Sequence, residues 1–104
     1  MFEAANETKN VWVIGVDSDQ FELSPKWALS SMIKRVDNGV FEGTKSVIDG
    51  KFKACVTTLG LKQEGVGMAL TTNKNAAAGA IAKANAWASM IIAGQKVVPD
   101  GMNE

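Results

Sequence analysis

The sequence has no histidine, a single cysteine and no excess of charge of either sign. Without histidine it lacks the usual general base near neutral pH and the commonest metal ligand, which argues against metal centres and His-dependent triads. Cys55 has no second cysteine to meet, so an internal disulfide is excluded. Eleven Lys and Arg are balanced by eleven Asp and Glu, and no positive field concentrates nucleic acid or an anionic membrane. Neither is expected as a partner. No stretch reaches the ~18 consecutive apolar residues needed to cross a bilayer. The start, Met1-Phe2-Glu3-Ala4-Ala5, has none of the basic, apolar and small-residue pattern of a secretion signal. The expectation is either an intracellular chain or a signal carried in sequence upstream. Internal repeats, low-complexity tracts and Pro-rich linkers are also missing.

What is there is ordinary globular usage, with 46% hydrophobic and 21% charged residues, which argues against disorder. A length of 104 residues fits one small domain, residues 1–104, with a single core. Residues 2–8 read as the tail of a helix. Val11-Trp12-Val13-Ile14-Gly15-Val16 is an unbroken apolar run that ends abruptly in Asp17-Ser18-Asp19-Gln20. Such a run, rich in β-branched residues, predicts a strand covered on both faces, as in a parallel sheet. A helix feeding it is half of a βαβ unit. Trp27-Ala28-Leu29 reads as a second short strand, with Ser30 or Ser31 as the N-cap of a helix over Met32 to Ile48. Its apolar positions at 32, 33, 36, 40, 41, 44, 47 and 48, counting Thr44 as tolerable, predict one buried stripe. Gly39 and Gly43 leave room for packing on a sheet, and Gly50 stops the helix.

Ala54-Cys55-Val56-Thr57-Thr58-Leu59 reads as a further strand, turning through Lys62 to Gly65 into Val66-Gly67-Met68-Ala69-Leu70 as a β-hairpin. Asn73 is the expected N-cap of a long Ala-rich helix to about Ala93, ended by Gly94. Val97-Val98-Pro99 resumes extended, and 100–104 reads as a polar, fraying tail. The order of elements indicates an α/β layered domain.

Ligands of open α/β sheets bind beyond the carboxyl ends of the strands. Asp17 to Gln20 stands at such an end, with two carboxylates, a hydroxyl and an amide able to accept bonds from ligand hydroxyls. The plainer reading is a solvated turn or an Asx cap. Lys34 falls in the predicted first turn of its helix, where a cation opposes the dipole and calls for a carboxylate or a ligand acceptor. Its plainer reading is a solvated lysine. Gly65-Val66-Gly67 is read as a hairpin turn and not a phosphate cradle, since no strand-to-helix context with a following lysine is present. Trp12, Trp27 and Trp87 are read as core before base-stacking platforms, and Cys55 as a small buried hydrophobe.

Val13-Ile14-Gly15-Val16-Asp17-Ser18-Asp19-Gln20, followed by Ser30-Ser31-Met32-Ile33-Lys34-Arg35-Val36-Asp37, resembles the paired signature of the basic membrane protein family. That family includes the purine nucleoside receptors of bacterial ABC importers. The likeness continues through Leu59-Gly60-Leu61 to Ile92-Ala93-Gly94 and Val97-Val98-Pro99, nearly the whole chain. The resemblance implies a flavodoxin-like lobe of a type I periplasmic-binding-protein clamshell, incomplete here, with residues 1–104 forming most of the C-terminal ligand-binding lobe. It implies binding without turnover or cofactor, a purine nucleoside as ligand, and an ABC permease as partner of the full-length protein. It also implies a lipid-anchored place at the cell surface or in the periplasm, with signal and anchor outside this chain. Carried over, Asp17 and Lys34 would contact the ribose, with Ser18 and Asp19 as further candidates. Two other readings stand beside it: a self-associating module, a homo-oligomer formed through an exposed sheet edge, and a small flavodoxin-like protein holding Mg²⁺ on Asp17 and Asp19.

Overall fold

The structure is a computed structural model that describes residues 1–99; the predicted polar tail lies outside the described residues. Helix α1 (Phe2–Thr8) ends at Lys9 and Asn10, both at positive φ, and the chain turns into strand β1 (Val13–Asp17). A single turn of 3₁₀ helix at Phe21–Leu23 leads to strand β2 (Ala28–Lys34), and helix α2 (Val36–Ile48) follows. An irregular segment and a second 3₁₀ turn, Leu61–Gln63, precede strand β3 (Val66–Met68). The short helix α3 (Thr72–Asn75) and the long helix α4 (Ala78–Ile92) complete the described chain.

The strands form one open sheet in the order β1-β2-β3. β1 runs parallel to β2 with Val13 opposite Ala28 and, beyond an irregularity after Val13, Gly15 opposite Ser31 and Asp17 opposite Ile33. β3 runs antiparallel to β2, Met32 facing Met68 and Lys34 facing Val66. This is the expected mixed α/β architecture of a partial lobe.

The core lies between α1 and the β1–β2 pair: Ala5, Val13 and Ala28 are buried, with Phe2, Phe21 and Trp27 packed around them. Small residues at its centre let helix and strands approach closely, and the surrounding aromatics supply the buried area. Asn6 fastens α1 to the loop below it, accepting from the buried Ser24 hydroxyl at 2.7 Å and donating to the Leu23 carbonyl.

Several local expectations are corrected. Residues 30–34 continue the strand, and the helix starts only at Val36, so neither Ser30 nor Ser31 is a cap and Lys34 ends a strand. Pairing with β3 holds these residues extended. The stripe on α2 is not buried: Val36, Val40, Phe41, Val47 and Ile48 are each at least 60% exposed. Gly39 faces Leu59 and not a sheet, and nothing approaches Gly43. Residues 54–59 form no strand, and β3 pairs with β2 in place of the expected hairpin partner. Val56 is 97% exposed and Cys55 is exposed, with no sheet edge alongside to shelter them. The Ala-rich helix is interrupted at Ala76 and Ala77, both extended, so Asn73 lies inside α3 and caps nothing. Trp12 and Trp87 are about half exposed, Trp12 standing edge-on to Trp27 at 5.8 Å between centroids. The helix stops at Gly50 and Gly94 are borne out, both glycines taking positive φ.

Gly15 and Gly43 give a paired test of this packing. A Cβ on Gly15 would lie 2.5 Å from Ser31 Oγ and 2.8 Å from Gln20 Oε1, whereas one on Gly43 meets nothing within 4 Å. Gly15→Ala is expected to destabilise the chain by about 1–3 kcal/mol through overpacking. Gly43→Ala, on the open face of a helix, is expected to stabilise it by up to ~1 kcal/mol. Chemical denaturation should show midpoints moving in opposite directions; equal effects would contradict the close approach of β1 and β2.

Candidate functional site

Parallel pairing puts the carboxyl ends of β1 and β2 at the same edge of the sheet. Asp17, the last residue of β1, is in register with Ile33, and Lys34 is the next residue and the last of β2. The two candidates thus stand at neighbouring strand ends, with the lysine one step beyond the aspartate's partner. Both residues are exposed. Among the described residues, the ion pairs are Arg35 with Asp37 and Lys45 with Asp49, so neither Asp17 nor Lys34 is spent on a neighbour. Arg35, by contrast, grips Asp37 through two nitrogens at 2.9 and 3.0 Å. Hydrogen bonding within that exposed pair raises the arginine pKa and holds the Asp37 carboxyl below its ordinary range.

Four residues of the β1 end were nominated, and they differ in what their side chains do. Asp17 takes φ +73°, a left-handed conformation in which a non-glycine residue is uncommon and aspartate is among the better tolerated. Ser18 is exposed in the turn beyond it. Asp19 accepts from Thr71 Oγ1 at 2.8 Å through both oxygens, and its Oδ1 also accepts from the Phe21 amide at 3.1 Å. A carboxylate offers about four acceptor positions, so Asp19 keeps little capacity for a ligand. Gln20 reaches back, its Oε1 accepting from the Val16 amide at 3.0 Å while its own amide donates to the buried Ser31 hydroxyl at 3.1 Å. Sequence reasoning weighed Gln20 as a ligand amide and Ser31 as a helix cap; both brace the turn instead. Thr71 was missed altogether. Its one signal was a hydroxyl residue just ahead of a short helix, a position usually read as an N-cap.

An apolar cavity of about 500 Å³ lies on the sheet face between β2, β3, Leu61 and helices α3 and α4, lined by Ile14, Met32, Met68, Ala80 and Ile81 among others. At its floor the Ser30 and Thr72 hydroxyls satisfy each other at 2.8 Å. Neither Asp17 nor Lys34 lines this cavity. Among the described residues no group of three or more acidic, Cys or His side chains could hold a metal ion, so the magnesium alternative gains no support from the geometry.

Comparison with known proteins bears on the family of the chain. A family model described as ABC transporter substrate-binding protein PnrA-like matches residues 1–100. The ABC transporter nucleoside-binding protein BmpA of Lactococcus lactis is 36% identical over 104 residues, 90% of this chain and 29% of its own length. Basic membrane protein D of Borreliella burgdorferi is 37% identical over 79 residues, 70% of this chain and 22% of its own. An uncharacterized lipoprotein of Pyrococcus abyssi is 44% identical over 54 residues, 52% of this chain and 13% of its own. The chain therefore spans less than a third of the length of these relatives. A solved ABC transporter solute-binding protein of Aeropyrum pernix shares the fold with a TM-score of 0.68 at 24% identity, over 95% of this chain and 36% of that one. By its family match over residues 1–100, the chain belongs to the PnrA-like ABC transporter substrate-binding proteins, a family of binding proteins and not of enzymes.

Proposed function

We propose that residues 1–104 are most of the C-terminal lobe of a purine nucleoside receptor for an ABC importer, and that this lobe grips the ribose. The observation that carries the reading is the pair of unspent, opposite charges, Asp17 and Lys34, at the common carboxyl end of two parallel strands. A carboxylate accepts from two neighbouring sugar hydroxyls and a lysine donates to a hydroxyl or ring oxygen, so together they answer a polyol that both donates and accepts. Ser18 adds an exposed hydroxyl, and Asp19 one remaining acceptor position. The Lactococcus relative carries a nucleoside-binding name, which supports the ligand class. A permease partner follows from the transporter family, and a lipid-anchored extracytoplasmic location from the lipoprotein name of the Pyrococcus relative. Ligand pockets bury roughly 70–90% of a small molecule, and an exposed strand end covers far less. Weak binding, detectable only at high nucleoside concentration, is the expectation for this chain alone.

Titration with inosine or guanosine, followed by backbone amide signals, tests the assignment. Shifts should centre on residues 17–19 and 34. Asp17→Asn, which tolerates the left-handed backbone, or Lys34→Ala should weaken the response by roughly tenfold or more, the cost of a hydrogen bond to a charged group, without changing the melting temperature. Variants that respond like the parent chain would show the site to be misassigned. A rise in melting temperature with Mg²⁺ but not with nucleoside would favour the metal alternative, because a ligand selective for the native state stabilises it.

A second reading, self-association of this chain, is favoured by its shape. The radius of gyration is 16.7 Å, against about 13 Å for a compact chain of this length. β1 and β3 are open sheet edges, and the apolar stripe of α2 is exposed. Light scattering after size exclusion should show dimers or larger species growing with concentration; a strict monomer at high concentration would remove this reading.

A further inference from the structure

The turn after β1 is held by bonds that come from elsewhere in the chain. Thr71 lies 52 residues beyond Asp19, just ahead of α3, and its hydroxyl lies 2.8 Å from each carboxylate oxygen. From β2, the buried Ser31 hydroxyl accepts the Gln20 amide, and Gln20 Oε1 in turn caps the Val16 amide immediately before Asp17. The Phe21 amide closes the other side of the turn on Asp19 Oδ1, and the Lys74 ammonium of α3 stands 4.2 Å over the Phe21 ring. Asp17 lies with Ser18 and Asp19 in the turn that these bonds span, and of the three it is the one at φ +73°. A sparsely populated backbone conformation persists where its surroundings over-determine it.

We infer that Thr71, Asp19, Gln20 and Ser31 form a latch that fixes the conformation of Asp17 and so presents its carboxylate to the ligand. Asp19 is then a positioning residue, and Thr71 sets affinity without touching the sugar. The choice of donor matters. A lysine or arginine facing Asp19 would neutralise the strand end, whereas a neutral hydroxyl restrains the carboxylate and leaves its charge in place. Serine in place of Thr71 would keep the donor; valine would keep the shape and lose it. The latch depends on the nucleoside reading only for the identity of the ligand.

The test compares Thr71→Val and Thr71→Ser with the parent chain. In Thr71→Val, amide exchange at Val16, Gln20 and Phe21 should quicken by roughly tenfold, as expected when a local opening loses a hydrogen bond to a charged group. The Asp17 Cα shift should also leave its left-handed value while β2 amides stay protected. Thr71→Ser should restore both. With inosine, Thr71→Val should bind roughly tenfold more weakly, and adding Asp17→Ala should cost little more, since the two changes act through one group. Unchanged Asp17 signals in Thr71→Val overturn the latch. So does a loosened turn with parental inosine affinity, because the bonds would then serve the fold alone. If no chain binds inosine while Asp17 and the exchanging amides respond as described, the nucleoside assignment fails and the latch stands.

Discussion

The tight approach of β1 to β2 at Gly15 and Ser31 governs the rest of the site. The space above Gly15 is filled by the Ser31 hydroxyl and the Gln20 amide group, with no room for a Cβ between them. Because Gly15 leaves that space without a side chain of its own, Gln20 can fold back along β1 into it and accept from the Val16 amide, which shapes the turn from Asp17 to Gln20. The same approach fixes register: Gly15 opposite Ser31 sets Asp17 opposite Ile33 and leaves Lys34 one step further. A slip of one residue would send every β2 side chain to the other face. It would take the serine out of the turn and the lysine away from the strand end together.

Beyond that well-determined corner the chain is thinly packed. Among the described residues the buried apolar side chains are few and small, Ala5, Val13 and Ala28 beneath α1 and Ala69 apart from them, while α2 and much of α4 present apolar residues outward. A helix apolar on nearly all sides, as α4 is with Lys83 its one charged residue, normally has neighbours on more than one side. The elongated shape, 52 × 29 × 29 Å, says the same of the whole chain. On the proposed reading these are surfaces that further layers of a longer receptor would bury, the relatives being more than three times as long as the part this chain matches. In such a molecule the strand end, already ordered by bonds within this chain, would need covering and little rebuilding.

How far the sequence could be read follows from which interactions are local. The end of β1 was legible because its apolar run stops at Asp17 within one residue, and the glycines after α2 and α4 mark helix ends without help from tertiary structure. The boundary between β2 and α2 was not. Met32 and Ile33 fit a helical period with Val36 and Val40 as well as they fit a strand, and the choice is made by pairing with Met68 and Gly67, more than thirty residues away in the chain. The opposite error, a strand at 54–59, has the same cause: β-branched residues supply propensity, but no open edge lies beside them. Asp17 and Lys34 remained candidates through both errors because strand ends and helix starts fall at the same edge of a parallel sheet. Thr71 could not be found this way, since nothing local links it to Asp19.

Placing Lys34 on a strand changes the electrostatic reasoning for it. In the first turn of a helix it would oppose the dipole directly; as the end of β2 it lies outside the helix, two residues ahead of the positive terminus of α2 at Val36, where that opposition is weaker. Arg35 and Asp37 cancel each other nearby, so the β2 side of the site keeps one net positive charge while the β1 side keeps Asp17 and Asp19, with the Lys74 ammonium beyond them over Phe21. A phosphorylated ligand drawn toward the lysine would meet two carboxylates at the neighbouring strand end, and Thr71, being neutral, does nothing to relieve that repulsion. An uncharged sugar meets no such conflict, since its hydroxyls can donate to the acidic side and accept from the basic one. On the proposed reading, the charge arrangement that makes this end of the sheet receptive to a nucleoside is also what would turn away the corresponding nucleotide.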